Sequence, residues 1–324
     1  MFPTAAEGSL LLTSCAGAVS ECRDSKMDIA VCGNPTIDEL AQNGRVRLSP
    51  GGSALFSSCA AAYLGSKVGI LGNIGEDYPS NILRRLKTLH IDVRSLNRSE
   101  RRSTRFQITR VNGSRKLRLL EPGDQVAAPV GPSHFRGIHL GPVFNEISGS
   151  LVDTLRKRCG FLSADLQGFI RAVSANGTVR TVPRSLSQLI GQCDMVQASI
   201  EEARSQTKSG DPRIILNRFL KMRARYVIVT MGEKGSWLGS QQDGTYFVPP
   251  FSDESTRDST GAGDVFAGSW VSTYLSTKDP VWASAVGSAF ASLASRKTGL
   301  SKFHLSRIEL LRRAVWVHNH VEES

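Results

Sequence analysis

Asp258-Ser-Thr-Gly-Ala-Gly-Asp-Val-Phe-Ala-Gly268 is the stretch on which both the fold and the chemistry of this chain turn. Thr260 to Gly263 is a run of small residues whose backbone N–H groups can approach an anion closely. The run from Val265 to Leu275 predicts a helix, so those amides lie at its N-terminus, where the helix dipole favours negative charge. Asp264 stands at the start of that helix. A phosphate cradle beside a carboxylate is what phosphoryl transfer to an alcohol needs, the amides holding charge on the moving phosphate and the carboxylate taking the hydroxyl proton. The same residues also describe a plain Gly-rich turn with Asp264 as a helix cap. No Gly-Lys-Ser/Thr follows and no G-x-G-x-x-G is present, so the pattern is neither a Walker A loop nor a dinucleotide fingerprint.

Outward from that segment, short apolar runs alternate with longer amphipathic ones. Ile29–Cys32, Val68–Leu71, Gly137–Leu140, Gly160–Ala164, Cys193–Ala198 and Tyr226–Thr230 predict strands. Ser57–Leu64 and Ser80–Leu89 predict helices between them. This alternation argues for an α/β fold, with a parallel sheet covered on both faces. One stretch breaks the rhythm: Arg105–Val111 and Arg115–Leu120 flank Asn112-Gly113, a hairpin signal because a type I′ turn needs two residues at positive φ. Arg45–Ser49 offers a further strand to pair with the hairpin. Together they predict a small antiparallel β unit, from about 38–50 and 98–122, either an edge appendage or a lid over a site, and the extra strand favours the lid.

The bulk numbers suit this architecture. The 324 residues are 40% hydrophobic and 21% charged, a globular profile with room for one large α/β domain. No run approaches the roughly 18–20 apolar residues of a membrane span, so a soluble, cytoplasmic protein is expected. The six cysteines form no C-x-x-C pair and no metal-ligand spacing with His, which favours reduced thiols. Forty Lys and Arg against twenty-nine Asp and Glu give a net charge of +11, which suits anionic partners. These basic residues are scattered and lack interleaved aromatics, which argues against a nucleic-acid platform. Residues 1–26 have no sustained period and no basic leader region; they are expected to be a disordered extension before a domain spanning 27–324.

DSTGAGDVFAGSW resembles the second signature of the ribokinase-like (PfkB) carbohydrate kinases. The first signature is matched upstream by Gly51-Gly-Ser-Ala-Leu-Phe-Ser-Ser-Cys-Ala-Ala-Ala-Tyr-Leu-Gly65, followed by GILGNIGEDYP. The resemblance runs from about Asp28 to the C-terminus. It implies a ribokinase-like three-layer sandwich, with a mostly parallel central sheet and a small β lid. It also implies an ATP- and Mg²⁺-dependent kinase acting on a hydroxyl of a sugar, polyol or nucleoside. A family member that has lost turnover and only binds a ligand or nucleic acid is the contrasting expectation.

The resemblance assigns roles residue by residue. Asp264 would be the general base, with the amides of Gly261, Ala262 and Gly263 forming the anion hole. Thr230, Gly232 and Gly235 in Val229-Thr-Met-Gly-Glu-Lys-Gly-Ser236 would contact the nucleotide. The acidic motif Asn-x-x-Glu is matched by Gln197-Ala-Ser-Ile-Glu-Glu-Ala203, where Ser199 replaces Asn and Glu202 would orient a metal-bound water. Asp38 would hold acceptor hydroxyls, and Gly51 and Gly52 would form the hinge. Some family members use a monovalent cation such as K⁺ beside the anion hole, and Asp258 is the residue this sequence supplies there. A homodimer clasped through the lid would also be compatible.

Two features set the chain apart from a generic ribokinase. Phe56 occupies the place of an Asn four residues after the second Gly. Ser163-Ala-Asp-Leu-Gln-Gly-Phe-Ile-Arg171 and His139-Leu-Gly-Pro-Val-Phe-Asn-Glu146 resemble a subgroup of sugar kinases that includes inositol kinases. Asp165, Gln167 and Arg171 would then face the acceptor, near the switch point where open α/β sheets bind ligands. Glu146 reads equally as the solvated start of a helix.

Overall fold

The computed structural model describes residues 27–42, 44–111, 114–130, 134–251 and 256–324. The N-terminal extension and the Asn112-Gly113 turn expected from the sequence lie outside them. In chain order the first elements are β1 (Ile29–Cys32), β2 (Thr36–Gln42), β3 (Arg45–Gly51), α1 (Ser53–Tyr63), β4 (Val68–Gly75) and α2 (Ser80–Thr88). Next come β5 (Leu96–Ser99), β6 (Arg105–Val111), β7 (Ser114–Glu121), β8 (Gly137–Leu140), α3 (Gly149–Arg156) and β9 (Leu162–Asp165). They are followed by β10 (Arg171–Val173), β11 (Val179–Thr181), α4 (Ser187–Gln192), β12 (Met195–Ser199), α5 (Ile200–Thr207) and α6 (Pro212–Leu220). The last are β13 (Tyr226–Thr230), β14 (Ser236–Ser240), β15 (Gly244–Val248), α7 (Ala262–Thr277), α8 (Pro280–Ser295), α9 (Arg307–Asn319) and β16 (Glu322–Glu323).

Among the described residues, ten strands form one sheet in the order β16-β15-β14-β13-β12-β9-β8-β1-β4-β5. The seven strands from β13 to β5 run parallel, and β14, β15 and β16 add an antiparallel edge. Alternate side chains of each central strand feed opposite cores. Ile29, Val31, Tyr226 and Ile228 pack under α1, α7, α8 and α9. Ala30, Cys32, Val227 and Val229 pack with α3, α5 and α6 on the other face. Burial of both faces explains why these strands read as continuous apolar runs. The ribokinase-like three-layer architecture expected from the sequence is therefore present.

Chain order places the binding crevice. From β1 the chain moves outward to β4 and β5, then returns to lay β8 against the other side of β1. This reversal opens a crevice at the carboxyl ends of the parallel strands. A second sheet, in the order β3-β2-β6-β7, stands beside it. Here the strand pairing differs from expectation. Arg45–Ser49 does not pair with the hairpin directly, because β2 lies between them, antiparallel to β3 and parallel to β6. Leu96–Ser99 pairs with β4 in the main sheet, so the hairpin's contribution begins at Arg105.

Four of the cysteines, Cys32, Cys59, Cys159 and Cys193, are buried free thiols. Burial pushes the Cys159 thiol up to about 11, so it behaves as a small apolar group. No helix among the described residues is long and apolar enough to cross a membrane.

Candidate active site

The start of α7 is built by packing against α1, 200 residues earlier in the chain. Gly268 faces the backbone of Ser57, and any side chain there would overlap the Ser57 carbonyl, so the two helices meet at backbone distance. The buried Ser57 hydroxyl donates to the Asp264 carbonyl at 2.9 Å. The turn before α7 is equally constrained. Gly261 is its N-cap, at φ 76° in the left-handed region, and a Cβ there would stand 2.5 Å from the Phe56 ring. Asp264 is thus the third residue of the helix, inside its first turn, and not its cap. Of the three amides expected in the anion hole, that of Ala262 donates to the Ser259 carbonyl at 3.1 Å.

These residues line a cleft of about 480 Å³, a size suited to a small ligand. Thr36, Asp38 and Gly52 come from the stretch after β1, Asp165 and Gln167 from the end of β9, Gln197 and Ser199 from the end of β12, and Thr230 and Gly232 from the end of β13. Ser259 to Asp264 form one side, and Phe56, Phe106, Leu117 and Val143 supply apolar wall. Asp38, Asp165, Gln167, Arg171, Ser199, Glu202, Thr230, Gly232 and Asp264 are therefore brought to one cavity. Two expected residues stand behind it. Gly51 packs so tightly on Asp38 that a side chain there would overlap the carboxylate. Gly235 closes the β13–β14 turn, where its amide donates to Gly232 at 3.1 Å and its carbonyl accepts from Met231 at 2.8 Å.

A polar chain crosses the floor. Gln167 Nε2 donates to Asp264 Oδ1 at 3.1 Å, and Gln167 Oε1 accepts from Arg171 at 2.8 Å. Arg171 is itself fixed by the Val143 carbonyl at 2.7 Å and lies 5.8 Å over the Phe106 ring. Gln197 Nε2 joins Asp165 Oδ2 at 3.1 Å to the Gly263 carbonyl at 2.9 Å, tying β9 to the helix start. The buried Oε1 of Gln197 has no hydrogen-bond partner among the described residues. Burial, reinforced by the charges of Glu202 and Asp264, holds the Asp165 carboxyl well above the usual range.

The Ser at position 199 has a structural explanation. It caps α5: its Oγ accepts from the Glu202 amide at 3.3 Å, while Glu202 Oε2 accepts from the Ser199 amide at 2.9 Å. This is a reciprocal capping box, and Asn, the residue that Ser199 replaces, is an equally good cap. Glu202 lines the cleft with Asp165 and Asp264. No cluster of three or more His, Cys, Asp or Glu that could hold a metal ion is found among the described residues.

Two further positions differ from their sequence reading. Glu146 is buried, and its carboxylate accepts the amides of Asn34 at 3.1 Å, Val143 at 2.7 Å and Phe144 at 2.6 Å. It is a brace under the β1 and β8 ends, not a solvated helix start. Asp258 is already engaged by a cation: Lys302 Nζ donates to its carbonyl at 2.6 Å and pairs with its carboxylate at 3.5 Å. Ser57, Gln197 and Lys302 carry no signal in the sequence, since each acts across more than 40 residues of chain.

The fold and the cleft suit a phosphotransferase acting on an alcohol, the class to which the pfkB carbohydrate kinases belong. The pfkB family carbohydrate kinase model matches residues 20–305, and the chain belongs to that family. It is 24% identical over 258 residues to a cytidine kinase of Thermococcus kodakarensis, covering 76% of this chain and 88% of that protein. It is also 24% identical over 301 residues to an inositol 3-kinase of Arabidopsis thaliana, covering 89% of this chain and 79% of that one. Among solved structures, a pyrophosphate-dependent kinase of the ribokinase family superposes with a TM-score of 0.75 at 20% identity, covering 88% of this chain and 99% of that one.

Proposed function

We propose that the protein transfers the γ-phosphate of ATP to a hydroxyl of a small cyclic polyol or sugar, with Asp264 as general base. The observation that carries this is the convergence of Asp264, the Gly261–Gly263 turn and Asp38 on one cleft at the carboxyl ends of the parallel strands. In this reading the α7 N-terminus steadies the transferring phosphate. Asp264 takes the acceptor proton while Gln167 orients its carboxylate. Asp38, held by the Thr36 hydroxyl at 2.7 Å, receives acceptor hydroxyls, and Arg171 donates from the opposite wall. Thr230 and Gly232 border the nucleotide. Mg²⁺ would sit on the phosphates near Glu202 and supply charge neutralisation. The second sheet, which brings Asp38, Phe106 and Leu117 to the cleft, acts as the lid that excludes water.

A nucleoside acceptor is the second reading. The aromatic and aliphatic wall of Phe56, Phe106, Leu117 and Val143 favours it, because such a wall suits the face of a base.

The test is ADP release from ATP with myo-inositol, ribose, fructose, adenosine and cytidine, and orthophosphate release from pyrophosphate with the same acceptors. ATP-dependent turnover of a polyol or sugar supports the proposal. Turnover of cytidine or adenosine alone favours the second reading, and activity with pyrophosphate alone overturns the donor assignment.

A further inference from the structure

Among the described residues Lys302 is the one lysine placed fully in the interior, and the kinase reading gives it no task. Its side chain is 1% exposed. Its Nζ meets three oxygens: the Asp258 carbonyl at 2.6 Å, the Ala294 carbonyl at 3.3 Å and the Asp258 carboxylate at 3.5 Å. Ala294 belongs to the last turn of α8, where carbonyls carry the negative end of the helix dipole. Two carbonyls and a carboxylate are the donor set of a monovalent cation site, here filled by the chain's own ammonium.

The site is wired to the turn that precedes Asp264. Asp258 Oδ1 accepts the Thr260 amide at 3.0 Å, and Thr260 leads directly into Gly261. The amides of Arg257 and Asp258 both donate to the Ser295 carbonyl at 2.9 Å, so the segment is pinned to the end of α8. The next residue, Phe303, packs its ring 6.4 Å from that of Phe56, the side chain against which Gly261 rests. Lys302 and Phe303 therefore brace the anion turn from both sides.

We propose that Lys302 is a positioning residue: a tethered cation that holds the Asp258–Ala262 turn in its anion-binding shape, and so makes the enzyme independent of any free monovalent cation. A free K⁺ at Asp258 does not fit, because the ammonium already contacts the oxygens that would bind it. Removing the ammonium leaves the half-buried Asp258 without its counter-charge and opens a vacancy lined by oxygens. A small cation of similar size then refills it.

This inference rests on the kinase reading, so its test has a binding arm as well as a turnover arm. Wild-type kcat and ATP affinity, the latter by calorimetry, are compared in Na⁺, K⁺ and tetramethylammonium salts; both are expected to stay within about twofold. Lys302→Met is expected to lose about 10²-fold in kcat through misplacement of the turn, and to bind ATP more weakly. Added NH₄⁺ or K⁺ restores both properties, whereas tetramethylammonium, too large for the vacancy, restores neither. A wild type that needs K⁺ overturns the proposal. So does a Lys302→Met variant that keeps wild-type ATP affinity, or one that melts like the wild type yet is rescued by no cation. If Lys302→Met does not fold, Asp258→Asn and the wild-type salt series decide the matter. Wild-type ATP binding without turnover on any acceptor counts against the kinase reading, while the binding arm still judges Lys302.

Discussion

The hydroxyl of Ser57 donates to the backbone carbonyl of Asp264 at 2.9 Å, joining positions 207 residues apart. Ser57 lies in the helix after Gly51-Gly52 and Asp264 in the helix after the Gly261–Gly263 turn. The two segments that carry the chemistry are thus one packed unit, with Gly268 setting their separation.

That contact makes a stability prediction. Ser57→Ala loses one buried bond and is expected to cost about 1 kcal/mol, read from the urea midpoint. Gly268→Ala forces the two helices apart and is expected to cost about 1–3 kcal/mol and to lower kcat with it. Equal stability of Gly268→Ala and the wild type would contradict the packing.

Ser199 gives a second test. Ser199→Ala removes the cap of α5 and is expected to cost about 1 kcal/mol, whereas Ser199→Asn keeps stability within a few tenths. Thermal unfolding of both variants checks this. An Asn variant as weak as the Ala variant would mean that capping is not the role of this hydroxyl.

Asp165 governs a pH dependence. Because burial and the neighbouring charges of Glu202 and Asp264 raise its folded pKa, the native state keeps a proton that the unfolded chain has lost above about pH 4. Between those two values the folded form binds more protons, so stability falls as pH rises through the window. Asp165→Asn removes that loss. Urea midpoints from about pH 5 to pH 8 are expected to show the variant gaining on the wild type with rising pH. Parallel curves would show that Asp165 is ionised throughout.

Arg171 should separate binding from chemistry. It holds Gln167 at 2.8 Å and lines the cleft, where the proposed function has it meet the acceptor. Arg171→Ala is expected to raise the acceptor KM by about tenfold with a smaller effect on ATP KM. An unchanged acceptor KM would remove Arg171 from the acceptor site.

Much of this could be read in the sequence, for physical reasons that also mark the limits. Gly137–Leu140 and Tyr226–Thr230 match their strands to the residue, because a strand buried on both faces must be apolar throughout. β2 was hidden as a separate strand: Thr36-Ile-Asp-Glu-Leu-Ala-Gln42 follows Gly33-Asn34-Pro35, a turn signal, and its Thr36 and Asp38 line the cleft. Leu96–Ser99 is too short to show a period. The roles expected of Asp264 and Asp38 came from the resemblance of the motifs around them to those of the family. Gln197 and Lys302 act through contacts far along the chain, and Glu146 joins its own turn to Asn34, 112 residues earlier, so no local pattern marks a buried brace as different from a solvated polar residue.

The central claim is that Asp264 removes the acceptor proton, and one substitution isolates it. Asp264→Asn keeps the shape of the side chain. ADP release with the acceptor identified in the panel should fall by about 10²–10⁴-fold in kcat, with ATP affinity and unfolding temperature close to those of the wild type. An Asp264→Asn enzyme that phosphorylates the same acceptor at the wild-type rate would contradict the account.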